Sequence, residues 1–332
     1  MRKIWSAAAA FATVAALSVA APAASVATGH HDAVRARVIA TFGTSAAFAE
    51  SATLDRHGNA VVSVTHWGET DNVGRLYVVR ANGHKTQFGP DIALGGCAMI
   101  LGVDLDARGD AYVAVWNYDP GTCANSPDSG LLKVTAREKW QLTTLPADTW
   151  PNGVDVVGSH AYVTDSLRGA VWKVRIDRVT SPKTPWLVSS LLTPSDDPKL
   201  AIGADGVLYR DGTVWLTSYA QGLIVKVHVR RDGSAGRPVV LASDPRLVTA
   251  DGIVFDRHGT LWVAVNHRAL ADSTSDGGHL VTVSPRGTVR DVAFAEGRLD
   301  YPTQPLFVGR HRLLVVNGSY DVMKPNVTLF TR

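Results

Sequence analysis

ADGIVFDRHGTLWVAV, residues 250–265, decides the fold of this chain. It reads as two short strands of alternating apolar residues around Asp256-Arg257-His258-Gly259, an Asp-x-x-Gly turn suited to a tight hairpin. The phrase recurs as TLDRHGNAVVSV (53–64), VDLDARGDAYVAV (103–115), GVDVVGSHAYVTD (153–165), GVLYRDGTVWLTS (206–218) and PLFVGRHRLLVVN (305–317). A third strand opened by glycine follows at Gly74, Gly130, Gly169, Gly222 and Gly278, spaced 56, 39, 53 and 56 residues apart. NVTLFT, 48 residues on at Asn326, is the sixth counterpart. Fourth strands are expected at 139–145, 184–190, 237–243 and 288–295. Four strands in each of six repeats make an all-β fold, a six-bladed β-propeller with four-stranded blades. The last repeat reaches Arg332 with no fourth strand, while RARVIATF (35–42) has a strand pattern and no other place. That N-terminal strand is expected to close the ring in the last blade, removing two exposed edges.

Outside the repeat, MRK and an Ala-rich apolar run over 4–21, followed by small residues around Pro22, read as a secretory signal peptide over 1–27. The run is mostly alanine and stops beside cleavage-type residues, which favours removal over anchoring, and 28–332 is then one propeller domain. The net charge of +3 includes Arg2 and Lys3, so the exported chain is near +1 (3 − 2). With 19% charged residues, scattered, it has no surface for nucleic acid or for a membrane. Cys97 and Cys123 are too few for a disulfide scaffold or a cysteine-rich zinc site, and in an exported chain they are expected to form one disulfide. A ring closed by its own strand needs no partner, so a secreted monomer is expected.

In a propeller the innermost strands line the central channel, and residues just before them converge on one end of the axis. Four repeats place an oxygen ligand there: Glu50, Asn152, Asp205 and Asp251. Counted back from the hairpin glycines they lie eight, six, seven and eight residues away, so the register drifts. One such Asp-Gly or Asn-Gly pair is ordinary turn chemistry. Four together, with all the charge negative, need a positive guest. An all-oxygen set suits a hard cation, Ca²⁺ first outside the cell, with Mg²⁺ or another divalent ion as the alternative.

PNGVDV (151–156), ADGVLY (204–209) and ADGIVFDRHGTLWVAV, with an isolated Glu opening the first blade, resemble the gluconolactonase, regucalcin and senescence-marker family of six-bladed propellers. The resemblance implies one divalent cation held by Glu, Asn, Asn and Asp of blades one, three, four and five, the places of Glu50, Asn152, Asp205 and Asp251. This chain departs from the family in having Asp205 for Asn, Asn152-Gly153 for an Asn-Asp-Gly turn, and Ser51-Ala52 after Glu50. Paraoxonase-like and strictosidine-synthase-like propellers and non-enzymatic NHL-like repeats share the strand phrase.

His66 and His267 each follow a hairpin glycine by eight residues, which returns them to the cation end of the axis as general bases or as donors to a substrate oxygen. The loop 268–278 after His267 is long enough for a lid, and Trp116, Tyr118, Tyr219, Tyr301 and Tyr320 offer an aromatic wall. By the resemblance, Asp251 doubles as the catalytic base, with His267 or His66 as substitute. The expectation is an exported, Ca²⁺-dependent hydrolase of lactones or related small esters, acting on a small-molecule substrate. A lyase acting on a cyclic ester would use the same ion, and a non-catalytic secreted propeller binding a ligand or protein through its loop-rich face stands as the alternative. No nucleophile elbow, phosphate loop or dinucleotide fingerprint competes.

Overall fold

The chain was described from a computed structural model covering residues 34–331, except 44–45, 69–70, 124, 268–276 and 319–323. The expected signal peptide, most of the expected lid and Tyr320 lie outside the described residues. Six four-stranded antiparallel sheets follow one another along the chain. Their innermost strands are Ala47–Leu54, Ala98–Leu105, Pro151–Val157, Ala204–Arg210, Ala250–Phe255 and Pro302–Phe307. The strand Arg35–Thr41 lies antiparallel against Asn326–Thr331, with Arg35 opposite Thr331 and Thr41 opposite Asn326. The first ordered strand thus completes the last blade, as the unassigned RARVIATF stretch required.

Strand alternation gives every blade two apolar faces, and the core divides accordingly. Six buried clusters fill the six gaps between neighbouring blades. Tyr112 of blade two and Trp172 of blade three, both 0% exposed, occupy one gap. Truncating an aromatic residue of that kind costs about 3–5 kcal/mol.

The outer strands follow the sequence less closely. Blade one has an eleven-residue outer strand, Lys85–Gly95, that carries Gly89-Pro90, holds charges at Lys85 and Asp91 and shows no clear alternation. In blade three the outer strand shrinks to Leu187–Val188, shorter than 184–190, because Pro182 and Pro185 offer no ladder N–H. In blade five it ends at Asp291 and turns into a short 3₁₀ segment, Ala293–Ala295. The inner strands that build the channel mouth each keep six to eight residues.

Candidate metal centre

Every inner strand carries a register shift at the position singled out from sequence. Pairing slips between Ala49 and Ser51, Ile100 and Val103, Pro151 and Val154, Ala204 and Val207, Ala250 and Ile253, and Pro302 and Gln304. The residues inside those bulges are Glu50, Leu101-Gly102, Asn152-Gly153, Asp205-Gly206, Asp251-Gly252 and Thr303. A bulge inserts an unpaired residue and re-aims its side chain. The drift in the sequence count is therefore not seen in the blade register, where all six positions are equivalent.

The glycines in the bulges serve close approach. A Cβ on Gly153 would stand 2.5 Å from Asp205 O, one on Gly206 2.3 Å from Asp251 O, and one on Gly102 2.3 Å from Asn152 O. In blades two, three and four the bulge thus nests against the backbone carbonyl at the ligand position of the next blade, which draws that part of the ring tight. Hydroxyls of the second strands lock the same contact. Thr217 Oγ1 accepts from Gly206 N (2.7 Å) and donates to Asp251 O (3.0 Å), and Thr164 Oγ1 accepts from Gly153 N (2.7 Å) and donates to Asp205 O (2.5 Å). In blade one Ser63 Oγ accepts from Ser51 N (3.2 Å) and donates to Leu101 O (2.5 Å).

Glu50, Asp205 and Asp251 each bring a carboxylate oxygen to within 4.8 Å of the others, and they are 8%, 2% and 7% exposed. Asn152, 4% exposed, lines the same cavity of about 20 Å³, room for one atom-sized guest. Two contacts fix the ligand orientations. Ser166 Oγ donates its only proton to Ala204 O (2.8 Å), so it accepts from Asn152 Nδ2 (3.2 Å), and the Asn152 carbonyl oxygen is left for the cavity. Asn266 Nδ2 donates to Asp251 Oδ2 and to Pro302 O, both at 2.9 Å.

The electrostatics match the geometry. Burial, and then the Asp251 charge, holds Glu50 well above the usual carboxylate range. Burial followed by the charges of Asp251 and Glu50 does the same to Asp205. Asp251 is pushed up to about 7 by burial, against the opposing hydrogen bonds from Asn266 and Gly252. Among the described residues no donor reaches the carboxyl group of Glu50 or Asp205. An oxygen-only donor set of this charge, size and desolvation fits a hard divalent cation.

The second group of expected site residues separates. His66 bonds Tyr77 Oη through Nε2 (3.1 Å), and its pKa is lowered by burial and by Arg75 and Lys85, which stand on the outer strands of blade one. It stands apart from the carboxylates. His267 packs edge-on to Tyr301, ring centroids 4.6 Å apart. Tyr301 is hydrogen-bonded to Tyr219, and the two phenols are raised by burial and, further, by the charges of the carboxylates nearby. Tyr219 shares its place after the second strand with Ser166 and Asn266, the two residues that orient the ligands. That shared position is the signal by which Ser166 could have been found. Cys97 and Cys123 are joined in a disulfide. No helix among the described residues is long and apolar enough to cross a membrane.

No family model and no curated protein matches the chain. Solved structures do. A gluconolactonase from Xanthomonas campestris matches with a TM-score of 0.57 and 14% identity, over 90% of this chain and 89% of its own. A luciferin-regenerating enzyme matches at 0.54 and 12%, over 87% and 92%. The PQQ-bound aldose sugar dehydrogenase of Streptomyces coelicolor matches at 0.54 and 12%, over 90% and 98%. Identities this low carry the fold alone, and at that level the resemblance read from the sequence holds: this chain has the propeller architecture of a gluconolactonase and of a luciferin-regenerating enzyme.

Proposed function

We propose that this protein is an exported hydrolase of lactones or related small esters, dependent on a divalent cation, with calcium foremost. The observation that carries the reading is the convergence of three buried carboxylates to within 4.8 Å, with no compensating donor at two of them among the described residues. Glu50, Asn152, Asp205 and Asp251 are the proposed ligands. Two of the solved structures it resembles, named as a gluconolactonase and a luciferin-regenerating enzyme, lend the reading support. Export rests on the sequence of residues 1–27, with which the Cys97–Cys123 disulfide is consistent.

A cation bound here supplies Lewis-acid polarisation of the ester carbonyl and charge stabilisation as the oxyanion develops. The protein residues do the rest. Ser166 and Asn266 hold Asn152 and Asp251 in their ligating orientations. Asp251, a buried carboxylate at the ring whose orientation Asn266 fixes, is the group to take a proton from the attacking water. His267 is the substitute base, reaching the site by way of Tyr301. The role foreseen for His66 is not carried forward, since its imidazole is engaged with Tyr77.

The test is a calorimetric calcium titration of the chelator-stripped mature protein, with Asp251→Ala run beside it. One site per chain, lost in the variant, is the expected result. If calcium, magnesium and manganese all fail to bind the wild type, the constellation is structural and the ligand-binding propeller replaces the enzyme. Once a substrate is in hand, product mass separates hydrolysis from elimination, because only hydrolysis adds water.

A further inference from the structure

Two residues before each ligand position, one step outward from the cation ring, stand Phe48, Met99, Trp150, Gly203, Thr249 and Tyr301. None carries a charge. On one side of this collar the Phe48 and Tyr301 rings meet edge-on at 6.0 Å, and Trp67 lies 6.1 Å from Phe48; Phe48 is buried, and Tyr301 and Trp67 are half-buried. On the other side Trp116 and Trp150 stack at 3.8 Å with their planes 10° apart, and Tyr118, 49% exposed, joins Trp116 at 5.4 Å. Gly203 and Thr249 leave the collar low at blades four and five.

The collar is held rigid. Asp165, fully buried, takes the Trp150 backbone N–H at 3.0 Å and the Trp172 Nε1–H at 3.0 Å. Tyr301 has a left-handed backbone, φ 54°, which a bulky residue adopts only when its surroundings impose it. The disulfide ties the segment bearing Tyr118 to Cys97, beside Met99. Because the cavity of about 20 Å³ has room for one atom-sized guest, the cation fills it, and the body of a ligand that reaches the ion lies outside the ring, against this collar.

We infer that the site selects neutral lactones or esters bearing an apolar or aryl ring, and rejects polyhydroxylated sugar lactones. The inference rests on the hydrolase reading above and narrows its substrate class. A sugar lactone would press several hydroxyls against indole, phenyl and thioether groups and lose their water partners, whereas an aryl ring stacks there at no such cost. The relatives' names point to sugars; the collar of this chain points elsewhere.

The test uses hydrolytically inert lactams, so that binding is read independently of turnover. Calcium-loaded mature protein is titrated by calorimetry with 3,4-dihydroquinolin-2-one and with gluconolactam. The aryl lactam is expected to bind at least about tenfold more tightly. Trp150→Ala should abolish that preference with the calcium titration unchanged, and Trp150→Phe should restore most of it. Met99→Thr, on the same side, gives a second reading if Trp150→Ala fails to fold. Equal affinities, tighter binding of gluconolactam, or no binding of either lactam to calcium-loaded protein overturns the inference while leaving the metal centre standing. Aryl-lactam binding by a protein that takes up no divalent ion supports the collar and overturns the hydrolase reading instead.

Discussion

The hairpin turns at one end of the inner strands and the channel mouth at the other both carry carboxylates, and they treat them in opposite ways. At the turns, Asp55 Oδ1 accepts from His57 N and Asn59 N, each at 2.8 Å, and Asp106 Oδ1 accepts from Arg108 N at 2.8 Å and Asp110 N at 3.1 Å. Those donors outweigh desolvation and hold both groups below the ordinary carboxylate range. At the mouth, Glu50 and Asp205 are buried with no donor among the described residues and are pushed the other way. One set of charges is satisfied within its own turn and stabilises a hairpin. The other is left for something that the fold does not supply.

The largest effect that could break this contrast is the loss of cation binding. Asp251→Ala should weaken calcium by at least about 100-fold, a change of about 2.7 kcal/mol. Asp205→Asn should weaken it less, because the amide keeps an oxygen ligand, and should stabilise the metal-free protein by easing repulsion with Glu50 and Asp251. A turn acid should behave in the reverse manner. Asp106→Ala should leave calcium affinity unchanged and cost about 1–2 kcal/mol of stability through its lost charge-assisted hydrogen bonds. Calorimetry and thermal unfolding on the same preparations read both quantities, and a destabilised metal-free Asp205→Asn would sink the contrast.

The contrast also sets a sign for pH. A carboxyl group raised in the fold keeps its proton while the unfolded chain, with ordinary values, releases one. The metal-free protein should therefore lose stability as pH rises from the ordinary carboxylate range, with Asp251's share of the loss complete near 7 and the shares of Glu50 and Asp205, held well above their ordinary values, continuing until those groups ionise. A cation favours the ionised forms and reverses the trend. Saturating calcium should thus raise the melting temperature more at about pH 7.5 than at about pH 5. A larger calcium shift at the lower pH would contradict the assignment of these carboxylates as ligands.

The repeat was legible because strand alternation and hairpin turns are local. It places the six blades, the closing strand at 35–42 and the positions of Glu50, Asn152, Asp205 and Asp251. Outer strands were less legible, since Lys85–Gly95 bends through Gly89-Pro90 and Leu187–Val188 is cut short by its flanking prolines. His66 and His267 looked alike because sequence counting fixes depth along a strand. It does not fix the direction in which a side chain leaves the sheet at its frayed end, and Tyr77 captures one imidazole while Tyr301 receives the other. The bulges left no mark in the sequence count, whose drift of one or two residues comes from hairpin turns of unequal length, and Ser166 belonged to no motif.

Two smaller effects sharpen the contrast by altering the support of the mouth and leaving its charges in place. Gly206→Ala would set a methyl group 2.3 Å from Asp251 O, with backbone on both sides of the contact and no flexible side chain to yield. The expected cost is about 1–3 kcal/mol, together with weaker calcium binding as blades four and five part. Gly58→Ala, in a hairpin turn with nothing within 4 Å of the added carbon, offers the comparison. Its cost should arise only from the positive φ of 76° and leave calcium unaffected. Smaller still is Thr217→Val, which keeps the shape of the side chain and removes the hydroxyl between Gly206 N and Asp251 O. About 1 kcal/mol of stability should be lost, since the Gly206 N–H and the Asp251 carbonyl, both in buried residues at the ligand ring, each lose a partner. Calcium affinity should fall by about tenfold, in line with other groups that orient a ligand without touching the ion. If Thr217→Val destabilises the protein as expected and calcium affinity does not move, the hydroxyl belt serves the blades alone, and the precision of the ring comes from the glycine bulges.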